Sequence, residues 1–226
     1  MKKYILSKAV ILFFTLLTLF SCSIINKNET IKGEGQVTVK TINLSSFTDI
    51  HLENYCDVEI VEGSEFKVEF SDYQNIVDLL DFKIVDNKLI IKPKKLNLNV
   101  NNSKAKAIIY VPGNIKNIAI AGSGNILLKK QINNIENLAI SGSGDIKSEV
   151  ESKSNNLSIA ISGSGDIDFS IVESQNVNCS ISGSGEIKVN AVKSLNVAIS
   201  GSGDVYYKGN PIVSSKINGS GEVVKM

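Results

Sequence analysis

Residues 140–146, Ile140-Ser141-Gly142-Ser143-Gly144-Asp145-Ile146, hold the phrase on which the reading of this chain turns. A Gly-Ser-Gly corner followed by a polar and then an aliphatic residue opens at Gly122, Gly142, Gly163, Gly183, Gly201 and Gly219, in steps of 20, 21, 20, 18 and 18 residues. A step of that size marks a solenoid, in which each repeat is one coil and buries its apolar face only against its neighbours. Two residues before each corner stand Ile120, Ile140, Ile161, Ile181, Ile199 and Ile217, and four residues after its first glycine stand Ile126, Ile146, Ile167, Ile187, Val205 and Val223. These form two nearly pure aliphatic columns. The strand entering the corner alternates strictly, as in Leu157-Ile159-Ile161, Val177-Cys179-Ile181 and Leu195-Val197-Ile199, so those side chains share one face, the interior.

Glycine at a sharp corner permits positive φ or close approach of adjacent coils, so the six glycines read as structural corners. They are not a phosphate loop, because no Gly-Lys-Ser/Thr ending and no helix follows. The residue after each corner is Asn125, Asp145, Asp166, Glu186, Asp204 or Glu222. One reading of this column is solvent exposure with hydrogen bonds to corner N–H and Ser hydroxyl groups. A second is a calcium ladder on Asp145, Asp166 and Asp204, since hard cations prefer oxygen ligands. No other metal, cofactor or catalytic residue is expected.

The amino terminus reads as an address. Lys2, Lys3 and Lys8 precede an apolar run from Ala9 to Leu19, which ends in Leu19-Phe20-Ser21-Cys22. The run is short for a membrane span and sits where a secretory signal belongs. The tetrapeptide resembles a bacterial lipobox, although Phe20 stands where a small residue is usual. Residues 1–21 are therefore read as a lipoprotein signal peptide and Cys22 as the lipidated residue. More than one acyl chain there would hold the protein on a membrane. Residues 22–35 are polar and aperiodic and read as a flexible tether. Without residues 1–21 the chain keeps 21 Lys against 23 Asp plus Glu, and it has no Arg. A near-neutral chain without a basic stripe excludes ordinary nucleic-acid binding, and it lacks the guanidinium forks that phosphate and sugar-acid sites prefer.

The rest, residues 36–226, reads as a single all-β domain, irregular over 36–115 and regular over 116–226. Alternation at Val37, Val39, Ile50, Leu52, Val58, Ile60, Phe66, Val68 and Phe70 predicts half-buried strands. Residues 72–82, with Ile76, Leu79 and Leu80 spaced by three and four, predict one short helix capped by Asp72. Leu52-Glu53-Asn54-Tyr55-Cys56-Asp57-Val58 aligns with Ile140 to Ile146 at its aliphatic and acidic positions, so residues 50–60 read as a degenerate coil with Cys56 in the second glycine's place. The alternative is an independent antiparallel sheet packed on the helix.

A Gly-bearing start, Phe47-Thr48-Asp49-Ile50-His51-Leu52, Asp57-Val58-Glu59-Ile60, Leu89-Ile90-Ile91, Val111-Pro112 and the Gly-Ser-Gly-Asp-Ile run occur in that order. Together they resemble the auto-transporter adhesin head family, the GIN domain, over roughly residues 36–225. The resemblance implies a right-handed parallel β-helix on an envelope protein, in many members a lipoprotein. It brings no catalytic or ligand residues.

Cys179 falls in an aliphatic column and reads as buried, Cys56 lies several coils away, and no disulfide between them is expected. His51, the only histidine, is placed on an exposed strand face. The row Asn97, Asn99 and Asn101 and the pair Tyr206-Tyr207 could meet a glycan, or be plain surface. The function expected is a non-enzymatic envelope lipoprotein, on the outer membrane if the source is Gram-negative, presenting a rigid body to a glycan or protein. The alternatives are a polysaccharide-active β-helical enzyme, which regularly stacked acids and the lack of Arg disfavour, and self-assembly through the uncapped last coil, which ends at Val223-Val224-Lys225-Met226.

Overall fold

The computed structural model describes residues 29–95 and 98–226, which form strands, turns and bends and, among the described residues, no helix. The signal peptide, Cys22 and residues 22–28 of the expected tether lie outside the described residues, as do Leu96 and Asn97.

The two aliphatic columns stack in register. Strands β10 (Asn117–Gly122), β12 (Asn137–Gly142), β14 (Ser152–Gly163), β15 (Ile167–Gly183), β16 (Glu186–Gly201) and β18 (Ile212–Gly219) pair in parallel, aligning Ile120, Ile140, Ile161, Ile181, Ile199 and Ile217. After the corner, β11 (Ile126–Leu128), β13 (Ile146–Ser148), β15, β16, β17 (Asp204–Lys208) and β19 (Val223–Lys225) align Ile126, Ile146, Ile167, Ile187, Val205 and Val223. All of these are buried except Ile217 and Val223 in the last coil. β-Branched side chains pack well on such a pleated surface, and shape-matched neighbours leave the column without voids. Cys179 is buried in the neighbouring column of the same strands, aligned with Ile159 and Val197.

The change of step from 20 to 18 residues is confined to one wall. Ile167 to Phe169 align with Ile187 to Val189, Glu173 aligns with Asn190, and Asn176 aligns with Ser194. The register shifts therefore lie between Phe169 and Asn176, on the return wall, and both columns keep their alignment. A one-residue slip within a column would turn its apolar side chains outward, whereas the return wall carries small polar residues such as Ser152, Ser154 and Ser174.

The first half contains the degenerate coil. Strand β3 (Asp49–Leu52) pairs in parallel with β10, and β4 (Asp57–Glu62) with β11, which brings Leu52 onto Ile120 and Val58 onto Ile126. On its far side β3 pairs with β7 (Lys88–Pro93) and β4 with β9 (Lys106–Val111). The chain therefore enters the stack one layer in, adds the outermost coil, and returns past the first layer to begin the regular repeats. Antiparallel strands close this end: β6 (Leu80–Val85) lies on β7, β5 (Lys67–Tyr73) on β9, and β2 (Val37–Asn43) on β5.

Three expectations are corrected here. The short helix over 72–82 is absent: residues 74–78 make a single turn, with Ile76 and Val77 N–H groups on the Tyr73 carbonyl, and Leu80 begins β6. The helical spacing arises because Ile76, Val77 and Leu80 are all buried around this one turn, Val77 and Leu80 in the main core and Ile76 beside Gly33. Asp72 is no helix cap. It is buried, and its carboxylate accepts from Tyr73 N–H, Lys104 N–H and the Ser103 hydroxyl, at 2.7 to 2.9 Å. Part of the expected tether is strand, because β1 (Glu29–Lys32) pairs in parallel with β8 (Leu98–Asn101). Val37 and Val39 are exposed, since β2 lies at the margin of the cap rather than over the core.

Candidate functional site

The corner column is the most regular feature of the molecule, and its geometry explains its composition. The corner glycines Gly122 to Gly219 have φ between 130° and 151°. The closer constraint is contact between coils. A Cβ on Gly163 would stand 2.1 Å from the carbonyl oxygen of Gly142. That carbonyl is held in place because it accepts the N–H of Ser164 at 2.9 Å, and the same bond recurs from Ser143, Ser184, Ser202 and Ser220 to the preceding corner. The second glycine is equally crowded: a Cβ on Gly165 would stand 2.0 Å from the carbonyl oxygen of Gly144. Each corner thus sits directly on the one below, and only a residue without a side chain fits.

The acidic column is a hydrogen-bond ladder. Oδ1 of Asn125 accepts the N–H of Asp145, Oδ1 of Asp145 that of Asp166, Oδ1 of Asp166 that of Glu186, and Oδ1 of Asp204 that of Glu222, at 2.7 to 3.0 Å. The ladder starts at Asp57, whose carboxylate accepts from the Asn125 amide. Each side chain satisfies a backbone donor of the next coil where the corner interrupts the strand pairing. Glu186 is the exception. Its longer side chain turns to Lys188, and the Asp204 N–H goes instead to the Gly185 carbonyl. The calcium candidates Asp145 and Asp166 occupy consecutive coils, while Asp204 is separated from them by Glu186. Among the described residues no group of three or more His, Cys, Asp or Glu side chains is arranged to hold a metal ion.

Asparagine builds two further ladders. On the outer face of the first sheet, the Asn137 amide donates to Asn117, the Asn117 amide to Asp49, and the Asn196 amide to Asn178. At the opposite corner Asn155 donates to Asn134, Asn176 to Asn156, and the Ser194 hydroxyl to Asn176. A shallow depression lies there, lined by Asn134, Glu136, Asn137, Ser154, Asn155 and Asn156.

Charge is arranged in local clusters at the closed end. Glu59 lies between Lys106 and Lys129, at 2.8 and 3.1 Å, and these ammonium groups hold its carboxyl below the usual range. Lys67 contacts Glu69 and lies 4.3 Å from the Tyr110 ring centroid, and the Glu69 carboxyl is lowered by Lys67 and by the Tyr110 hydroxyl. His51, expected in solvent, is partly buried with Nδ1 3.7 Å from the Glu53 carboxylate. Asn99 and Asn101 lie on β8 beside β1, away from the main sheets. Tyr206 lies beside Lys188, and Tyr207 packs against the core. Both Cys56 and Cys179 are buried free thiols. Burial pushes Cys179 up to about 12 and raises Cys56 as well.

Sequence reasoning missed the buried ionic groups. Lys130 is 6% exposed and donates to the carbonyls of Val111 and Gly113 and to Glu62, clamping the loop that carries the chain back past the first coil. The doublet Lys129-Lys130 directly follows the end of β11, where neighbouring side chains point to opposite sides, and that was the available signal.

The comparisons with known proteins agree with this architecture. The chain resembles a structure described as an adhesin from Bacteroides fragilis NCTC 9343, with 20% identity over 87% of this chain and 100% of the other and a TM-score of 0.65. A protein from Parabacteroides distasonis ATCC 8503 described as lipid binding gives 21% identity, 88% and 100% coverage and a TM-score of 0.58. One from Parabacteroides merdae ATCC 43184, described as an adhesin, gives 21%, 88% and 99%, and 0.55. These likenesses are of fold. No protein of curated function matches the chain in sequence. A family model covers residues 46–211, from the loop before β3 to the residue before β18, and by that match the chain belongs to the family described as "Putative auto-transporter adhesin, head GIN domain".

Proposed function

We propose that this chain is a non-enzymatic, lipid-anchored envelope protein that presents a right-handed β-helical body to a glycan or protein surface. The observation that carries the reading is the family match over residues 46–211. The surface geometry supports it. The outer face of β10, β12, β14, β15, β16 and β18 carries rows of short side chains: Asn117, Asn137, Ser158, Asn178, Asn196 and Ser214 in one, and Ala121, Ser141, Ser162, Ser182, Ser200 and Asn218 in another. Amide and hydroxyl groups repeated at strand spacing, about 4.8 Å, form a flat and rigid surface. Such a surface meets a partner through many weak polar contacts rather than through one deep pocket.

The anchor is Cys22, and the chain enters the fold through β1 at the closed end of the stack. The body then extends from the membrane, with the last coil farthest away. Two measurements test the reading. Metabolic labelling with a palmitate analogue should mark the wild-type chain and not Cys22→Ala. Protease added to intact cells should remove the body. An unlabelled wild-type chain, or a body protected from protease until the envelope is opened, would overturn the anchored or the surface-exposed part respectively. For recognition, Asn137→Lys and Asn178→Lys on the outer face should abolish binding to any glycan or extracellular protein that an array detects.

A further inference from the structure

The two ends of the coil stack are finished differently. At the closed end Phe47, Phe70, Ile76, Val77 and Leu80 are all between 0% and 8% exposed, because antiparallel strands and the turn at 74–78 fold across the core. At the other end β18 pairs along one side with β16, and all eight of its residues are exposed. Its inward residues Val213 and Ile217 keep 39% and 40% of their surface exposed, whereas their partners one coil below, Leu195 and Ile199, keep 0% and 3%. An edge of this length with an apolar inner row and a free line of backbone donors and acceptors is a template for another strand. The strand itself carries one charge, Lys216, and no proline.

We infer that β18 is a pairing edge for a second copy of this chain, joined about a two-fold axis through Ser215 so that the two β18 strands run antiparallel. The occupant follows from self-complementarity, the defining property of a two-fold interface. With the axis at Ser215, Val213 lies opposite Ile217 of the second copy at both ends of the inner row, and Ser215 faces itself in the middle. On the outer row Lys216 lies opposite Ser214. Moving the axis to Lys216 would set two ammonium groups directly opposite, which destabilises a strand pair. Moving it to Ser214 would leave Ile217 facing Pro211.

The same symmetry brings the corner carrying Glu222 over the corner carrying Lys208 of the second copy. These charges are opposite, and neither group makes an ion pair within the described residues. A head-to-tail stack has no such match, because the closed end offers antiparallel strands over a covered core. The two-fold arrangement also closes on itself and does not grow into a fibre. If the chain is anchored as proposed above, the paired tips point away from the membrane and join chains on facing surfaces. That consequence rests on the anchored reading, and the pairing does not.

The test uses the full chain in mild detergent, with protein mass measured by light scattering from micromolar to millimolar concentration. The expected result is a monomer–dimer equilibrium that Ser215→Lys shifts wholly to monomer, with no change in the melting temperature of dilute, monomeric protein, since Ser215 is exposed. Ser215→Cys should form a disulfide-linked dimer under mild oxidation. Facing residues in an antiparallel pair lie about 4.5–5.5 Å apart at Cα, within disulfide range. Lys193→Cys, on the side of the stack, should not. A wild-type chain that stays monomeric throughout overturns the inference, and so does a dimer that Ser215→Lys leaves intact. Failure of either kind leaves the labelling and protease results above unaffected, so the two readings fail separately.

Discussion

The corner at residues 54–56 stands in line with the corners of the regular repeats but is built differently: the first glycine of each repeat has φ between 130° and 151°, and Asn54 does not share that positive φ. In the repeats both corner positions are glycine. In the degenerate coil they are Asn54 and Cys56, although Leu52 and Val58 stack on Ile120 and Ile126 as any repeat would. The difference lies in what sits underneath. A corner's Cβ points toward the preceding layer, and for Gly122 that layer is the Asn54 carbonyl, 2.5 Å away. For Asn54 the preceding layer is the coil formed by β7 and β9. Glu53 N–H still reaches Ile91 and Asp57 N–H still reaches Ala105, but between them β8 pairs with β1 and not with this layer. With no corner beneath, side chains are admitted. Cys56 fills the core end, and the Asn54 side chain accepts the Cys56 N–H at 2.6 Å. Glycine is therefore required on two counts in the repeats, the carbonyl beneath and the positive φ, and the degenerate corner is free of both.

That comparison is tested most severely by placing a methyl group in each corner. Gly163→Ala meets a fixed carbonyl at 2.1 Å and must separate two coils, breaking the bond from Ser164. It should cost about 4 kcal/mol or more, or prevent the native stack from forming. Asn54→Gly removes one hydrogen bond and a partly satisfied amide, and should cost about 1 kcal/mol. Denaturant titration of both variants is the measurement. Equal losses would mean that the regular corners do not depend on glycine.

A second contrast runs along the aliphatic column. Ile161 lies between Ile140 and Ile181, each in a strand held on both sides, so the cavity left by Ile161→Ala cannot close and should cost about 3 kcal/mol. Ile217 occupies the same column in the last coil but is 40% exposed, and Ile217→Ala should cost about 1 kcal/mol in dilute, monomeric protein. The thiols give an independent check on the column. Native protein at neutral pH should leave Cys56 and Cys179 unreactive toward a thiol reagent, and denaturant should release both. Burial disfavours the thiolate, which is the reactive form.

The repeats were legible because stacking writes itself into sequence at a fixed interval: an apolar residue at Ile161 demands another at Ile140 and Ile181. The degenerate coil was legible for the same reason, through Leu52 and Val58. The cap was not. Asp72 is held by Ser103 and Lys104 and the Leu79 carbonyl by Lys94, contacts without periodicity, so a single turn with Ile76, Val77 and Leu80 buried imitated a helix. Strand β1 was hidden likewise, since its partner β8 lies about 70 residues on. The acidic column was visible and hydrogen bonding to corner N–H groups was one expectation for it, but the actual donor was not, because it is the N–H of the column's own residue in the next coil.

The smallest expected effects belong to that column, and they separate two uses of its oxygens. Asp166 accepts the Glu186 N–H at 2.7 Å. If acceptance is its whole task, Asp166→Asn keeps an amide oxygen in place and should be nearly neutral, as Asn125 already demonstrates one end of the ladder. Removing one of several stacked negative charges should even raise stability slightly at low salt. Asp166→Ala leaves the N–H to find water, which costs about 0.5–1.5 kcal/mol. A calcium ladder predicts that Asp166→Asn is costly as well, because an amide is a far weaker ligand than a carboxylate. Thermal melts of wild type and Asp166→Asn with and without millimolar calcium decide between them. The expected result is the same melting temperature for wild type in both conditions. A calcium-dependent rise that Asp166→Asn abolishes would show that the column holds an ion as well as the next coil.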